Sequence, residues 1–126
     1  MKILILGAAL LAVLAAIGVV IAVRLYSRRT RTSGRVVFVS GPLQGDVVEL
    51  VPGRTRIGAL DDNDITIPSK QVSRYHAELR VRDGRVHIWD LESANNTFVN
   101  GDRVDNSELR PGDVIAIGDA EMRYEV

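Results

Sequence analysis

The polar side chains able to do chemistry gather in two stretches. The first, Pro68-Ser-Lys-Gln-Val-Ser-Arg-Tyr75 followed by His76, offers the Ser73 hydroxyl, the Arg74 guanidinium, the Lys70 ammonium and backbone N–H groups. These are the donors a doubly charged phosphate requires. The second, Glu92-Ser-Ala-Asn-Asn96, offers Asn95, whose amide both donates to and accepts from a peptide backbone. Taken alone, such residues equally suit an ordinary solvated loop. Other chemistries fit less well. Ser73 and His76 suggest a nucleophile and a base, but no acid is placed to orient the imidazole and no oxyanion site is evident. Asp61-Asp-Asn-Asp64 lacks the spacing of a calcium loop and reads as a solvated turn. There is no cysteine and only two histidines, so disulfides and thiolate metal sites are excluded and a structural zinc is not expected. No phosphate-binding loop or dinucleotide fingerprint is present. The sequence therefore predicts no enzyme, no cofactor and no small-molecule substrate.

Charge is distributed unevenly. The 126 residues sum to zero, yet residues 1–33 hold Lys2, Arg24, Arg28, Arg29 and Arg31 without an acid, while residues 34–126 hold 11 basic and 16 acidic residues. A mildly acidic body argues against general nucleic-acid binding. The basic cluster borders an apolar run, as at a membrane anchor.

That run, Ile3 to Val23, is 21 consecutive residues without a charge or a hydrogen-bonding side chain. At about 1.5 Å per residue, a helix of this length matches a hydrocarbon core of roughly 30 Å. A secretory signal is the rival reading, but its apolar stretch is shorter and ends at a small-residue cleavage site, whereas here Val23-Arg24-Leu25-Tyr26 follows. The arginines on the C-terminal side predict a single-pass protein of the cell membrane with the following domain in the cytoplasm. The expected organisation is a membrane helix with basic flank over 1–26, a linker over 27–34 and a domain over 35–126.

From Arg35 onward apolar residues alternate with polar ones, the mark of strands buried on one face. Ala77, Leu79 and Val81 alternate with Glu78, Arg80 and Arg82, and Met122, Tyr124 and Val126 with Glu121, Arg123 and Glu125. Asp83-Gly84 and Asn100-Gly101 read as two-residue hairpin turns, because these residue pairs accept positive φ. The four prolines, Pro42, Pro52, Pro68 and Pro111, fall between strand patterns. Many short strands with frequent turns and no helical period predict an all-β sandwich or barrel.

Five segments occur in order: Arg56-Ile-Gly58, Asp64-Ile-Thr-Ile67, Val72-Ser-Arg-Tyr-His-Ala77, Asp90-Leu-Glu-Ser-Ala-Asn-Asn-Thr-Phe-Val-Asn-Gly101 and Leu109-Arg-Pro-Gly-Asp-Val-Ile-Ala-Ile-Gly118. Together they resemble the forkhead-associated (FHA) domain over nearly all of residues 35–126. The resemblance implies a β-sandwich of about eleven strands whose loops at one end bind phosphothreonine peptides, and a protein that is not an enzyme. It implies that Ser73 and Arg74 hold the phosphate, that Asn95 holds the peptide main chain, and that a small apolar niche for the threonine methyl disfavours serine. His76, Asn100 and Gly58 resemble residues that brace loops. The implied partner is a phosphothreonine-containing protein, such as a serine/threonine kinase or its substrate.

Three positions depart from the family pattern. Ala59 stands where an arginine usually helps hold the ligand. Ala94 stands where a serine or threonine commonly adds a phosphate contact. Asn96 replaces a glycine, a milder change because asparagine tolerates the left-handed region. Each lost hydrogen bond to a charged group costs about 1.5–3 kcal/mol, so a phosphate-independent adaptor on the same fold is the alternative. Lys70 compensates if its loop folds inward.

Overall fold

A computed structural model describes residues 10–22 and 33–126. The chain divides into two compact units between Arg31 and Thr32. In the first, residues 10–22 form a helix, α1, with exposed side chains. Thirteen residues rise only about 20 Å. Among the described residues no helix is long and apolar enough to cross a membrane. The expected span over 3–23 and the linker over 27–34 extend outside the described residues, the span at 3–9 and 23, the linker at 27–32.

In the second unit the expected strands form, and they number eleven. They are β1 (Arg35–Ser40), β2 (Val47–Glu49), β3 (Gly53–Gly58), β4 (Ile65–Thr66), β5 (Ala77–Arg82), β6 (Arg85–Asp90), β7 (Thr97–Val99), β8 (Asp102–Val104), β9 (Asn106–Glu108), β10 (Val114–Ile117) and β11 (Ala120–Glu125). One sheet runs β2-β1-β11-β10-β7-β8 and the other β4-β3-β5-β6-β9. The alternating apolar positions face inward: Val36 and Phe38 of β1, Ile88 of β6, Ile115 and Ile117 of β10 and Met122 of β11 are all fully buried in one core. Burying a side chain of this size contributes about 1.5–3 kcal/mol, and alternation fixes register because a one-residue slip would expose the whole set.

Both expected hairpins form. Asp83 and Gly84 have φ of 53° and 75° with Arg82 opposite Arg85, and Asn100 and Gly101 have φ of 51° and 84° with Val99 opposite Asp102. The registers define two ends of the sandwich. Gly58, Ala77 and Asp90 lie at one, with the long loops that leave β3, precede β5 and follow β6. Gly53, both hairpin turns and the chain entry lie at the other, where Ser33 N–H donates to Leu50 O and Tyr124 Oη to Ser33 O.

Candidate phosphopeptide-binding groove

The loop end is built from a histidine outward. His76 follows directly on the 68–75 loop and is fully buried. Its Nδ1 accepts from Ser73 N–H at 3.1 Å and its Nε2 donates to Asn96 O at 2.8 Å. One ring thus ties the loop before β5 to the loop after β6. Both ring nitrogens are engaged by backbone, so the ring is not a base facing the Ser73 hydroxyl.

Gly58 closes the third side. A Cβ there would collide with Arg74 O, so only glycine lets β3 approach the 73–74 backbone. Ala59 N–H donates to Ser73 O at 3.0 Å, and its side chain packs against the core. The Asp61–Asp64 segment is a turn, but the expectation that it is simply solvated fails at Asn63. That residue is buried, and its Nδ2 donates to Leu60 O at 2.8 Å and to Arg74 O at 2.9 Å. Asp64 Oδ2 accepts from Arg56 N–H at 2.8 Å. Nothing in the local pattern distinguished Asn63 from its exposed neighbours, because its partner Arg74 O lies eleven residues away on another loop.

The loop after β6 is shaped by Asp90. Its Oδ1 accepts from the hydroxyls of Ser93 at 2.5 Å and Thr97 at 2.8 Å, and its Oδ2 from Ser93 N–H at 3.2 Å. Burial pushes the Asp90 pKa up, but these hydrogen bonds outweigh it and hold the group below its ordinary 3.8. The tight turn forces Glu92 and Asn96 to φ of 54° and 67°. Asparagine suits that region, whereas glutamate there is uncommon.

These braces bring the predicted ligand residues together. An open groove of about 750 Å³ has Lys70, Ser73 and Arg74 on one side and Glu92, Ala94 and Asn95 on the other. Ser73 Oγ accepts from Ala94 N–H at 3.0 Å, which leaves its own proton to donate. Asn95 Nδ2 donates to Gln71 O at 2.9 Å, so its side chain spans the two loops. Arg74 and Lys70 are exposed. Two features escaped sequence reasoning. Glu92 adds a carboxylate to the groove. Tyr75, also on its wall, donates to Asp62 Oδ2 at 2.6 Å, and this bond to a carboxylate raises the phenol above 10.0.

Asn100 is a brace, but of the opposite end. Its Nδ2 donates to Asp113 Oδ1 and its Oδ1 accepts from Val114 N–H, each at 2.9 Å, pinning the β7–β8 turn to the turn before β10.

The FHA domain family model matches residues 55–118, from β3 to the end of β10, half of the chain. The chain belongs to the FHA domain family. It is 46% identical over 93 residues to the ABC transporter ATP-binding/permease protein Rv1747 of Mycobacterium tuberculosis, a match covering 74% of this chain and 10% of the transporter. It is 37% identical over 86 residues to the glycogen accumulation regulator GarA of Mycolicibacterium smegmatis, covering 68% of this chain and 54% of GarA. It thus spans about half of one relative and a tenth of the other. A domain solved in work on phosphothreonine-dependent FHA domain interactions superimposes with a TM-score of 0.66 at 32% identity, covering 73% of this chain and 96% of that one. The all-β FHA sandwich inferred from the motifs is therefore the fold, and FHA domains are interaction modules.

Proposed function

We propose that residues 35–126 bind phosphothreonine peptides in the groove at the loop end, and that residues 3–23 hold this module at the cytoplasmic face of the cell membrane as a single-pass anchor. The observation that supports the first part is that Lys70, Ser73 and Arg74 of one loop and Asn95 of another line a single groove. The phosphate sits against Arg74, the Ser73 hydroxyl and Lys70. Asn95 Oδ1 receives a peptide N–H beside the phosphothreonine. The ligand belongs to a phosphothreonine-containing protein, a serine/threonine kinase or its substrate. The anchor reading rests on the 21-residue apolar run and its arginine flank.

A second reading, a phosphate-independent adaptor, is favoured by Ala59, by Ala94 and by the Glu92 carboxylate, which repels phosphate from the same groove. One experiment separates them. Residues 33–126 are titrated by fluorescence anisotropy with phosphothreonine, phosphoserine and unphosphorylated peptide pools. The reader binds phosphothreonine alone at micromolar levels, and Ser73→Ala and Arg74→Ala each weaken it by about 10- to 100-fold. Binding that ignores phosphorylation and both substitutions establishes the adaptor. The anchor is tested by extracting membranes of cells making the full chain with carbonate. An integral anchor stays in the pellet and releases a domain of this size when protease is added from the cytoplasmic side.

A further inference from the structure

The outward face of the five-stranded sheet concentrates positive charge on an otherwise acidic domain. Pairing aligns Arg54, Arg80, His87 and Glu108 in one row across β3, β5, β6 and β9, and Arg56, Glu78, Trp89 and Asn106 in the next. Arg82 and Arg85 face each other beside the β5–β6 turn. Five of the eleven cations of residues 34–126 therefore share this face. Of its acids, Glu78 is buried, bonded by Arg80 at 2.7 Å and reached by Arg54 at 3.5 Å. Asp83 and Glu108 make only long contacts of 3.9 Å, with Arg82 and Arg85. The Arg80 guanidinium lies 4.2 Å from the Trp89 ring centroid, the diagonal contact that cross-strand geometry allows. A hollow of about 570 Å³ is lined by Arg80, Arg82, Asp83, Arg85, His87 and Trp89.

We propose that this face docks on an anionic membrane surface. A sheet face that carries exposed guanidinium groups around one amphipathic indole suits a headgroup layer, where arginine meets phosphate and tryptophan lies at the interface. The cations are spread over the β5–β6 hairpin and the neighbouring strand β3 rather than gathered in the hollow alone. The β5–β6 turn also lies at the end where the chain enters the sandwich, at Ser33. This last point, and with it the choice of lipid over an acidic polypeptide, rests on the anchored reading. The arginine face itself does not. Docking by this face leaves the phosphopeptide groove, at the other end of the sandwich, open to a partner.

Residues 33–126 are sufficient for the test, since both sheets and the whole core close within them. Trp89 is the only tryptophan, so its emission reports on this face alone. The domain is mixed with phosphatidylcholine vesicles, with and without phosphatidylserine, at low ionic strength, where surface charge is least screened. The expected result is a blue shift and co-sedimentation with the anionic vesicles only. The variant Arg82→Glu with Arg85→Glu should lose about tenfold or more of that binding, with thermal unfolding showing that it is folded. Arg74→Ala, in the groove, should bind the vesicles as the unaltered domain does, whether or not the groove takes phosphothreonine. Failure to bind anionic vesicles, or binding that the double charge reversal leaves intact, overturns the proposal. A blue shift with polyglutamate but not with vesicles overturns it in favour of an acidic protein partner.

Discussion

Asp90 shows how much of the groove depends on a residue that touches no ligand. Three hydrogen bonds converge on its carboxylate, one from the fully buried Thr97 and two from Ser93, and they set the path of the loop that carries Ala94 and Asn95. Asp90→Ala leaves the buried Thr97 hydroxyl and the half-buried Ser93 donors without an acceptor and should lower unfolding free energy by about 2–3 kcal/mol, measured by urea denaturation. The bonds lower the carboxyl pKa below its unfolded value of 3.8. The folded state therefore resists protonation, and the stability this contributes is complete above 3.8 and lost as pH falls through the lower folded value. Denaturation midpoints should fall as pH drops below 3.8, and Asp90→Asn should flatten that fall. Some slope should persist, because hydrogen bonds from Arg123 and Arg35 also lower Glu125.

At the scale of elements, the strands and hairpins were legible because their signals are local. Alternation in Ala77–Arg82 and Ala120–Glu125 reports a buried face directly, and Asp83-Gly84 and Asn100-Gly101 supply the two positive-φ residues a tight turn demands. The loops were only half legible. Motif likeness singled out Ser73, Arg74 and Asn95, and the donors of the 68–75 loop added Lys70, but the side chains that hold the loops in place act over distance. Asn63 reaches Arg74 O across eleven residues, and Asp62 meets Tyr75 across thirteen. No spacing rule reveals such contacts before the chain is folded. Glu92 was hidden for another reason, since its left-handed backbone is imposed by the Asp90 turn and not favoured by its own type. Braces at the two ends should separate function from stability. Asn100→Ala removes two hydrogen bonds at the entry end and should cost about 1–3 kcal/mol while leaving phosphopeptide affinity unchanged. His76→Ala should destabilise by about 2–4 kcal/mol and also abolish binding. Calorimetric unfolding and peptide titration of both variants check the contrast.

For the whole molecule, the proposed tasks fall to different parts of the chain. The loop end carries the proposed phosphopeptide groove and the arginine face of the five-stranded sheet the proposed lipid contact, while the proposed anchor is the apolar run before the domain. The first of these is central, and a residue-resolved measurement tests it most directly. Amide spectra of residues 33–126, labelled with nitrogen-15, are followed during titration with a phosphothreonine peptide and with its unphosphorylated twin. Only the phosphorylated peptide is expected to shift resonances, with the largest shifts in 70–75 and 91–96 and the Asn95 side-chain amide among them. Equal shifts from both peptides, or shifts centred on the 80–89 hairpin with the loop end silent, would contradict it.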